Sequence, residues 1–268
     1  MIFYFSGTGN SEWAARKIAS ALNDKLLFIP DVMNSSCSYE LARNERLGFV
    51  FPVYAWRVPS FIKEFIRRLK VSNVSYVYFV ATCGDDSGRM KEDFISIAHA
   101  KGWEVACGYS LIMPEAYISL PGFDVDTKDK ERAKLMQASH RLDEITEELI
   151  DMRKGTFDTH PGAFPWLKTA VLGAFFNTFL LSPKPFKSLD TCIGCGKCAS
   201  VCPMHNISLV SNGQSSGKSV SHDDVHPQWG RECVGCLKCY HSCPVNAVQY
   251  GRRTKGKGQY LHPDLRRK

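Results

Sequence analysis

The sequence lacks a run of about 20 apolar residues, which is the length that a helix needs to cross a lipid bilayer. Its most apolar stretch, residues 166–181, is shorter than this and contains Lys168 and Asn177. Neither a basic segment nor a small-residue cleavage site follows Met1, so we predict that Ile2–Phe5 is a first β-strand and not part of a signal peptide. We therefore expect a cytoplasmic protein without membrane contact.

Three familiar motifs are also missing. The loop after the first strand has neither the Gly-Lys-Ser/Thr of a Walker A site nor the G-x-G-x-x-G of a Rossmann dinucleotide site. No C-x-x-x-C-x-x-C loop of the radical-SAM type is present, because the residue three positions after Cys202 is His205. With no nicotinamide motif, we expect any electrons to come from a protein partner.

The composition is that of a globular protein with about two domains. The chain has 268 residues, and its 44% apolar residues are enough for buried cores. Residues 1–155 carry 20 Lys/Arg against 21 Asp/Glu, whereas residues 156–268 carry 14 against 6. The basic second half favours a redox partner with an acidic docking face, and no nucleic-acid recognition fold accompanies the charge. We expect a protein partner and no nucleic acid.

Eight of the 11 cysteines form two runs with the same spacing, C-x-x-C-x-x-C-x-x-x-C-P. Three thiolates at steps of three can wrap three corners of a cubane cluster, while the fourth cysteine, placed in a following helix, ligates the other cluster. The pattern therefore predicts two 4Fe-4S clusters that exchange one ligand. The predicted ligands of the first cluster are Cys192, Cys195, Cys198 and Cys243, and those of the second are Cys233, Cys236, Cys239 and Cys202.

Structural zinc is the alternative interpretation of clustered cysteines, but zinc ligands usually occur as separated pairs. In the cluster interpretation, Gly194 and Gly235 allow the two cysteine loops to close around iron. Pro203 and Pro244 then redirect the chain after the last ligand of each run.

With these two runs, residues of about 188–250 resemble a bacterial two-cluster ferredoxin. The interval between the runs is longer than is usual in such domains, and we predict that its extra residues, Ser211–His226, form a solvated insertion or an extended hairpin loop. The other three cysteines are scattered through the first half and are expected to be buried, reduced thiols: Cys37, Cys83 and Cys107.

The loop Ser6-Gly-Thr-Gly-Asn-Ser11 connects the first strand to an amphipathic helix. Glycines permit close approach of the backbone to a phosphate, and N–H groups at a helix start point toward the anion. Because the loop contains no Lys or Arg, it would bind a monoester through dipoles and hydrogen bonds. An ordinary strand-to-helix turn is the alternative. The predicted phosphate-binding residues are Ser6, Gly7, Thr8, Gly9, Asn10 and Ser11.

Strand and helix patterns alternate through the rest of the first half. Further strands are predicted at residues 25–29, 47–53, 76–82 and 105–112, and helices at residues 60–69, 89–101 and 127–153. Five strands joined by helical crossovers imply an α/β fold with a doubly wound parallel sheet and a ligand at the carboxyl ends of the strands. Together with the Ser-Gly-Thr-Gly-Asn-Ser loop, this pattern makes the first half resemble a flavodoxin.

The resemblance includes the two loops that hold the flavin ring in that family. Tyr54 or Trp56 would provide an aromatic plane for the ring, with Trp56 preferred, although either could be a core residue instead. Asp85 and Asp86 would repel an anionic reduced flavin and make it a stronger reductant, or would cap the following helix. The predicted ring-binding residues are Pro52, Val53, Tyr54, Ala55, Trp56, Thr82, Cys83, Gly84 and Asp85.

As a whole, the chain resembles the flavodoxin/ferredoxin fusion proteins of anaerobic bacteria. The predicted parts are a flavodoxin-like FMN-binding domain (1–155), an apolar linker or docking helix (156–187) and a small α+β two-cluster ferredoxin domain with a basic tail (188–268). The resemblance implies an electron-transfer protein that couples two 4Fe-4S clusters to bound FMN and passes single electrons between redox partners.

Two other functions stay open at this point. One is a flavin-dependent reductase of a small molecule, fed by its own clusters, with a substrate cavity lined by polar groups such as Tyr117, His99 or Arg57. The other is an iron–sulfur sensor or assembly module that binds no flavin.

Overall fold

The computed structural model describes residues 1–120, 122–169, 185–211 and 225–266. These residues form two units. The first consists of residues 1–115 and 126–169, and the second of residues 116–120, 122–125, 185–211 and 225–266. The predicted docking helix lies mostly outside the described residues, whereas residues 156–169 belong to the first unit.

The first unit alternates strands and helices. Its strands are β1 (Ile2–Tyr4), β2 (Leu26–Phe28), β3 (Ser38–Glu40), β4 (Leu47–Pro52), β5 (Lys70–Ser72), β6 (Val77–Cys83), β7 (Val105–Ile112) and β8 (Thr156–Asp158). Its helices are α1 (Asn10–Leu22), α2 (Ile29–Val32), α3 (Ser60–Arg68), α4 (Met90–His99), α5 (Lys128–Ile150) and α6 (Pro165–Leu167).

The main sheet is parallel throughout, with the strand order β2-β1-β4-β6-β7-β8. Its first five strands have the 2-1-3-4-5 order of the flavodoxin-like doubly wound fold, which confirms the predicted fold class. The sheet has six strands instead of the predicted five. The additional strand, β8, is only three residues long and directly follows Gly155, so the sequence offers too few residues for a periodic pattern.

Side chains of the central strands alternate between two apolar layers. On one face, Tyr4, Val80 and Leu111 belong to a buried cluster that includes residues of α1 and α5. On the other face, Phe49 and Phe79 pack on Phe94 of α4, with ring centroids 5.4 and 4.8 Å apart. Burial on both faces accounts for the nearly continuous apolar character of these strands.

The second unit is built from two short antiparallel strand pairs and one-turn helices. Its strands are β9 (Phe186–Ser188), β10 (Ile207–Ser211), β11 (Val225–Trp229) and β12 (Val248–Tyr250), and its helices are α7 (Lys197–Ser200), α8 (Lys238–His241) and α9 (Pro263–Arg266). Strand β9 pairs with β12, and β10 pairs with β11. The long interval between the cysteine runs therefore contains an extended hairpin, whose connection lies outside the described residues.

One feature of the cysteine runs differs from the prediction. Helices α7 and α8 contain the third cysteine of each run, Cys198 and Cys239, and end before the fourth, Cys202 and Cys243. A residue that precedes proline is disfavoured in helical conformation, so Pro203 and Pro244 prevent each helix from reaching the fourth cysteine.

Candidate functional site

The loop between β1 and α1 lies at the carboxyl edge of the sheet. The chain reverses direction across the sheet at this strand, because the connection from β1 leads to β2 on one side and the next connection leads back to β4 on the other. All six predicted phosphate-binding residues, Ser6 to Ser11, are buried. Gly9 precedes α1 with φ of 104°, a conformation that requires glycine, and its N–H donates to Ser6 Oγ at 3.0 Å. No side chain caps the start of α1. The position is the switch point at which doubly wound sheets bind ligands.

Two hydrogen bonds attach this loop to the neighbouring strand ends. The hydroxyls of Ser11 and Thr82 lie 2.7 Å apart in a buried contact, and Asn10 Nδ2 donates to the carbonyl of Pro114 at 3.1 Å. Because Thr82 lies in β6 and Pro114 follows β7, the loop is bound to two strands besides its own. The structure thus brings Ser11 and Thr82, predicted for separate loops, into one contact.

The second predicted loop contains a tight turn with an uncommon conformation. Tyr54 and Arg57 exchange backbone hydrogen bonds of 3.1 and 3.0 Å, and the two residues between them, Ala55 and Trp56, have φ of 49° and 60°. Two positive φ values are typical of a type I′ turn, which normally uses Asn or Gly. Neither Ala nor Trp favours this conformation, and such strain is concentrated at functional sites.

Trp56 is half-buried and packs closely on the third loop. A Cβ atom added to Gly88 would lie 2.3 Å from Trp56 Cβ, so only glycine allows this approach. Gly88 itself has φ of 53°. Trp56, in the first of the two predicted ring-binding loops, therefore packs directly against the second.

The third loop, after β6, is held by residues that the sequence pattern did not indicate. Lys134 of α5, only 7% exposed, donates to the carbonyl of Gly84 at 2.7 Å. Its ammonium group lies 2.9 Å from Asp126 and 3.4 Å from Asp85. A Cβ atom on Gly84 would lie 2.1 Å from the Glu115 carboxylate, so the space beside Gly84 is taken by Glu115.

These contacts change the expected electrostatics of the loop. Asp86 is paired with Lys168, and Asp85 with Lys134, so neither carboxylate is the uncompensated charge that the repulsion argument assumed. Helix α4 is also not capped by either aspartate, because its N-cap residue is Arg89, whose N–H donates to Thr169 Oγ1 at 3.2 Å. Burial raises the pKa of the Cys83 thiol, and the nearby carboxylates of Asp86 and Glu115 raise it further.

Two of the three polar residues considered for a substrate cavity, Arg57 and His99, are not brought together within the first unit. Arg57 lies 3.9 Å from the carboxylate of Asp93. His99 is exposed at the end of α4, at the opposite edge of the sheet from the loops. Tyr117 belongs to the second unit.

In the second unit, the eight cysteines of the two runs surround two cavities. The first cavity is lined by three cysteines of the first run and the last of the second: Cys192, Cys195, Cys198 and Cys243. The second cavity is lined by three cysteines of the second run and the last of the first: Cys233, Cys236, Cys239 and Cys202. The cavities thus combine the cysteines in the two sets that the spacing predicts.

The two cysteine loops repeat the same backbone conformation. Gly194 and Gly235, the two glycines expected to close the loops, have φ of 64° and 67°. At the start of the following helices, Gly196 and Leu237 are also left-handed, with φ of 70° and 57°. The internal repeat therefore includes a position at which one half uses glycine and the other a strained leucine.

A backbone N–H reaches the fourth cysteine sulfur in each half. Asn206 N–H donates to Cys202 Sγ at 3.4 Å, and Ala247 N–H donates to Cys243 Sγ at 3.2 Å. Each donor lies four residues after its cysteine. The two halves therefore repeat this contact as well as the cysteine spacing.

Residues 191–247 match the family model of the 4Fe-4S dicluster domain. The match includes all eight cysteines of the two cavities. The chain therefore carries an iron–sulfur domain, and with it a redox role in electron transfer.

Comparisons with other proteins add little to this match. No curated protein matches the sequence. Among solved structures, a Bacillus subtilis protein called Trp repressor binding protein is 18% identical, with a TM-score of 0.33 over 53% of this chain and 96% of that one. A Bacteroides uniformis ATCC 8492 protein described as a flavoprotein is 18% identical, with a TM-score of 0.32 over 42% and 88%. An NAD(P)H:quinone oxidoreductase from Methanothermobacter marburgensis is 11% identical, with a TM-score of 0.28 over 54% and 94%.

The donor set of the dicluster domain fits iron–sulfur clusters better than single metal ions. A tetrahedral zinc site needs four ligands at about 2.0–2.3 Å from one centre, and its ligands usually occur as separated pairs. Here the cysteines form two sets of three plus one, with the fourth cysteine exchanged between the runs, which is the ligand arrangement of two 4Fe-4S clusters.

Burial affects the thiols of the dicluster domain strongly. It raises the pKa of Cys198 to about 11 and that of Cys236 to about 12. At neutral pH these thiols are protonated in the absence of metal, so iron binding must displace protons from them.

The dicluster domain is completed by a segment from far away in the sequence. Ile118, in the connection between β7 and α5, is fully buried in the same apolar cluster as Cys198 and Cys239. Burial lowers the pKa of His241 to about 4, so its ring is neutral, with Nε2–H donating to the Ala116 carbonyl at 2.8 Å. Residues 116–125 therefore form part of the second unit although the spacing of the cysteines does not indicate it.

None of the helices in the described ranges combines the length and the apolar character required to span a bilayer.

Proposed function

We propose that this chain is an electron-transfer protein that binds FMN in its first unit and one 4Fe-4S cluster in each cavity of its second unit, and that it passes single electrons between redox partners in anaerobic metabolism. When bound, FMN would supply one- or two-electron exchange and each cluster single-electron exchange. The observation that carries the proposal is the mixed composition of the cavities, each with three cysteines from one run and one from the other.

For the flavin, the proposal rests on the three loops at the switch point of the sheet. The Ser6–Ser11 loop would hold the phosphate through backbone N–H groups at the start of α1. The strained turn at Ala55 and Trp56 would present the aromatic plane, and the loop from Thr82 to Asp85 would contact the edge of the ring. Because the phosphate loop contains no Lys or Arg, it would bind the phosphate monoester of FMN through dipoles and hydrogen bonds.

The surface charge of the second unit supports a protein partner with an acidic docking face. Its described residues expose several cations, whereas the exposed acids are fewer and dispersed. Complementary charge would speed association with such a partner and make the rate fall as salt is added. The exposed cations are Lys187, Lys197, Arg231, Arg252, Arg253 and Lys255.

The experiment is a comparison of cofactor content in three anaerobically purified proteins. The wild-type chain should contain FMN, iron and acid-labile sulfide. Cys195→Ala should lose about half of the iron and keep FMN, because Cys195 lines only the first cavity. Gly7→Leu should lose FMN and keep both clusters, because a bulky side chain would block the phosphate loop.

Loss of both cofactors from either single change would contradict separate sites in the two units. A wild-type chain that binds iron but no flavin, even after incubation with FMN, would instead support an iron–sulfur sensor or assembly module. The reductase alternative gains no support from Arg57 and His99, because Arg57 lies beside Asp93 and His99 lies at the far end of α4.

A further inference from the structure

One polar group in the second cavity has no counterpart in the first. The Trp229 side chain lines the second cavity, and its indole Nε1–H is buried without a hydrogen-bond partner among the described residues. Leaving a buried donor unsatisfied has a free-energy cost, so buried donors are normally paired. A group bound in the second cavity, which the indole ring lines, could supply the missing hydrogen-bond acceptor.

The indole is held firmly in this position. Trp229 is the last residue of β11 and lies opposite Ile207 in the β10–β11 pair. Its ring stacks on Phe186, with ring centroids 5.5 Å apart and planes inclined by 14°. Burial raises the pKa of the Cys239 thiol, and the indole N–H faces this thiol closely enough to lower that pKa, but the contact does not have the geometry of a hydrogen bond.

The internal repeat identifies the equivalent residue in the other half. Trp229 lies four residues before Cys233, and Ser188 lies four residues before Cys192. Both end a strand, and their strand partners, Ile207 and Val248, each lie five residues after the fourth cysteine of a run. Ser188 is not among the residues that line either cavity.

The two cavities also differ in a nearby lysine. Lys197 and Lys238 occupy equivalent positions, each directly before the third cysteine of its run, but Lys197 lines the first cavity and Lys238 is not among the residues that line the second. Replacing the Trp229 side chain leaves both lysines in place, so a change in potential caused by that replacement can be assigned to the indole donor.

We propose that the Trp229 indole N–H donates a hydrogen bond to a sulfur atom of the cluster in the second cavity, and that it selectively raises the reduction potential of that cluster. Hydrogen bonds to cluster sulfurs stabilise the more negative, reduced form. The inference rests on the proposed function, since it requires clusters in both cavities. It makes Trp229 a residue that sets the order in which the two clusters accept electrons.

The test is an anaerobic redox titration of the holoprotein followed by electron paramagnetic resonance. Trp229→Phe removes the N–H and keeps an aromatic ring to stack on Phe186. One of the two midpoints should fall, by about tenfold in the equilibrium constant or about 59 mV for one electron, while the other stays in place. Ser188→Ala, at the equivalent position, should move neither midpoint.

A second measurement uses wild-type protein only, so it does not depend on whether a variant folds. In wild-type protein with ¹⁵N-labelled indole, pulsed electron paramagnetic resonance of the reduced clusters should detect a ¹⁵N coupling from the N–H···S contact. Holoprotein with two clusters but no such coupling, and with both midpoints unchanged in Trp229→Phe, would overturn the inference alone. A chain without iron and sulfide would overturn the proposed function as well, and cofactor analysis separates the two failures.

Discussion

At the scale of single residues, the candidate flavin site is marked by backbone conformation more than by side-chain type. Gly9, with φ of 104°, is where glycine would be expected. Ala55 and Trp56 adopt the left-handed conformation without the residues that favour it. A left-handed L-residue costs about 1–2 kcal/mol, so the chain retains strain at the turn that would face the ring.

Ala55→Gly should therefore stabilise the protein. Glycine adopts φ near 49° without penalty, and after its larger loss of chain entropy the free energy of unfolding should rise by up to about 1 kcal/mol. Denaturant unfolding followed by fluorescence would measure the change. Ala100→Gly is the matched control: Ala100 is exposed and right-handed, with φ of −62°, and should be destabilised or unchanged. A lower stability for Ala55→Gly would show that the turn is not strained.

At the scale of elements, the segment of residues 116–125 joins the second unit through buried contacts. Ile118 is 0% exposed. Lys257 Nζ donates to the carbonyls of Ile118 and Leu120, both at 2.6 Å. Lys257 and His241 of α8, the helix that carries Cys239, thus both contact the segment of residues 116–125.

Ile118→Ala should destabilise the iron–sulfur unit by about 2–5 kcal/mol, because it leaves a cavity in a packed core. Anaerobic thermal unfolding, followed by the visible absorbance of the clusters, should show an earlier loss of colour. Ile150→Ala is the matched control. It makes the same substitution at a side chain that is 48% exposed, and it should have little effect on the temperature at which the colour is lost. Equal behaviour of the two variants would mean that residues 116–125 do not stabilise the clusters.

The elements also show what could be predicted from the sequence. Strand β7 was predicted with its observed ends, because eight consecutive residues of a buried strand carry a strong apolar signal. Lys134 and Trp229 were not predicted as site residues. Lys134 lies 50 residues from Gly84, the residue it contacts, and Trp229 precedes its cysteine run without any motif. Only the packing of distant segments reveals such roles.

At the scale of the whole molecule, each of the two units brings together candidate site residues from separate parts of the chain. In the first, loops that follow different strands are joined by the contacts of Ser11 with Thr82 and of Asn10 with Pro114. In the second, each cavity takes its fourth cysteine from the other run. The spacing of the cysteines predicted this exchange because the pattern is highly specific, whereas the phosphate loop alone was compatible with an ordinary turn.

The presence of two clusters can be decided by the iron and acid-labile sulfide content of the anaerobically purified chain, combined with electron paramagnetic resonance of the reduced protein. We expect about eight irons and about eight sulfides per chain, with signals from two 4Fe-4S clusters that interact magnetically. A chain that instead contains zinc without sulfide, or a single cluster in which one cavity stays without iron after reconstitution, would contradict this expectation.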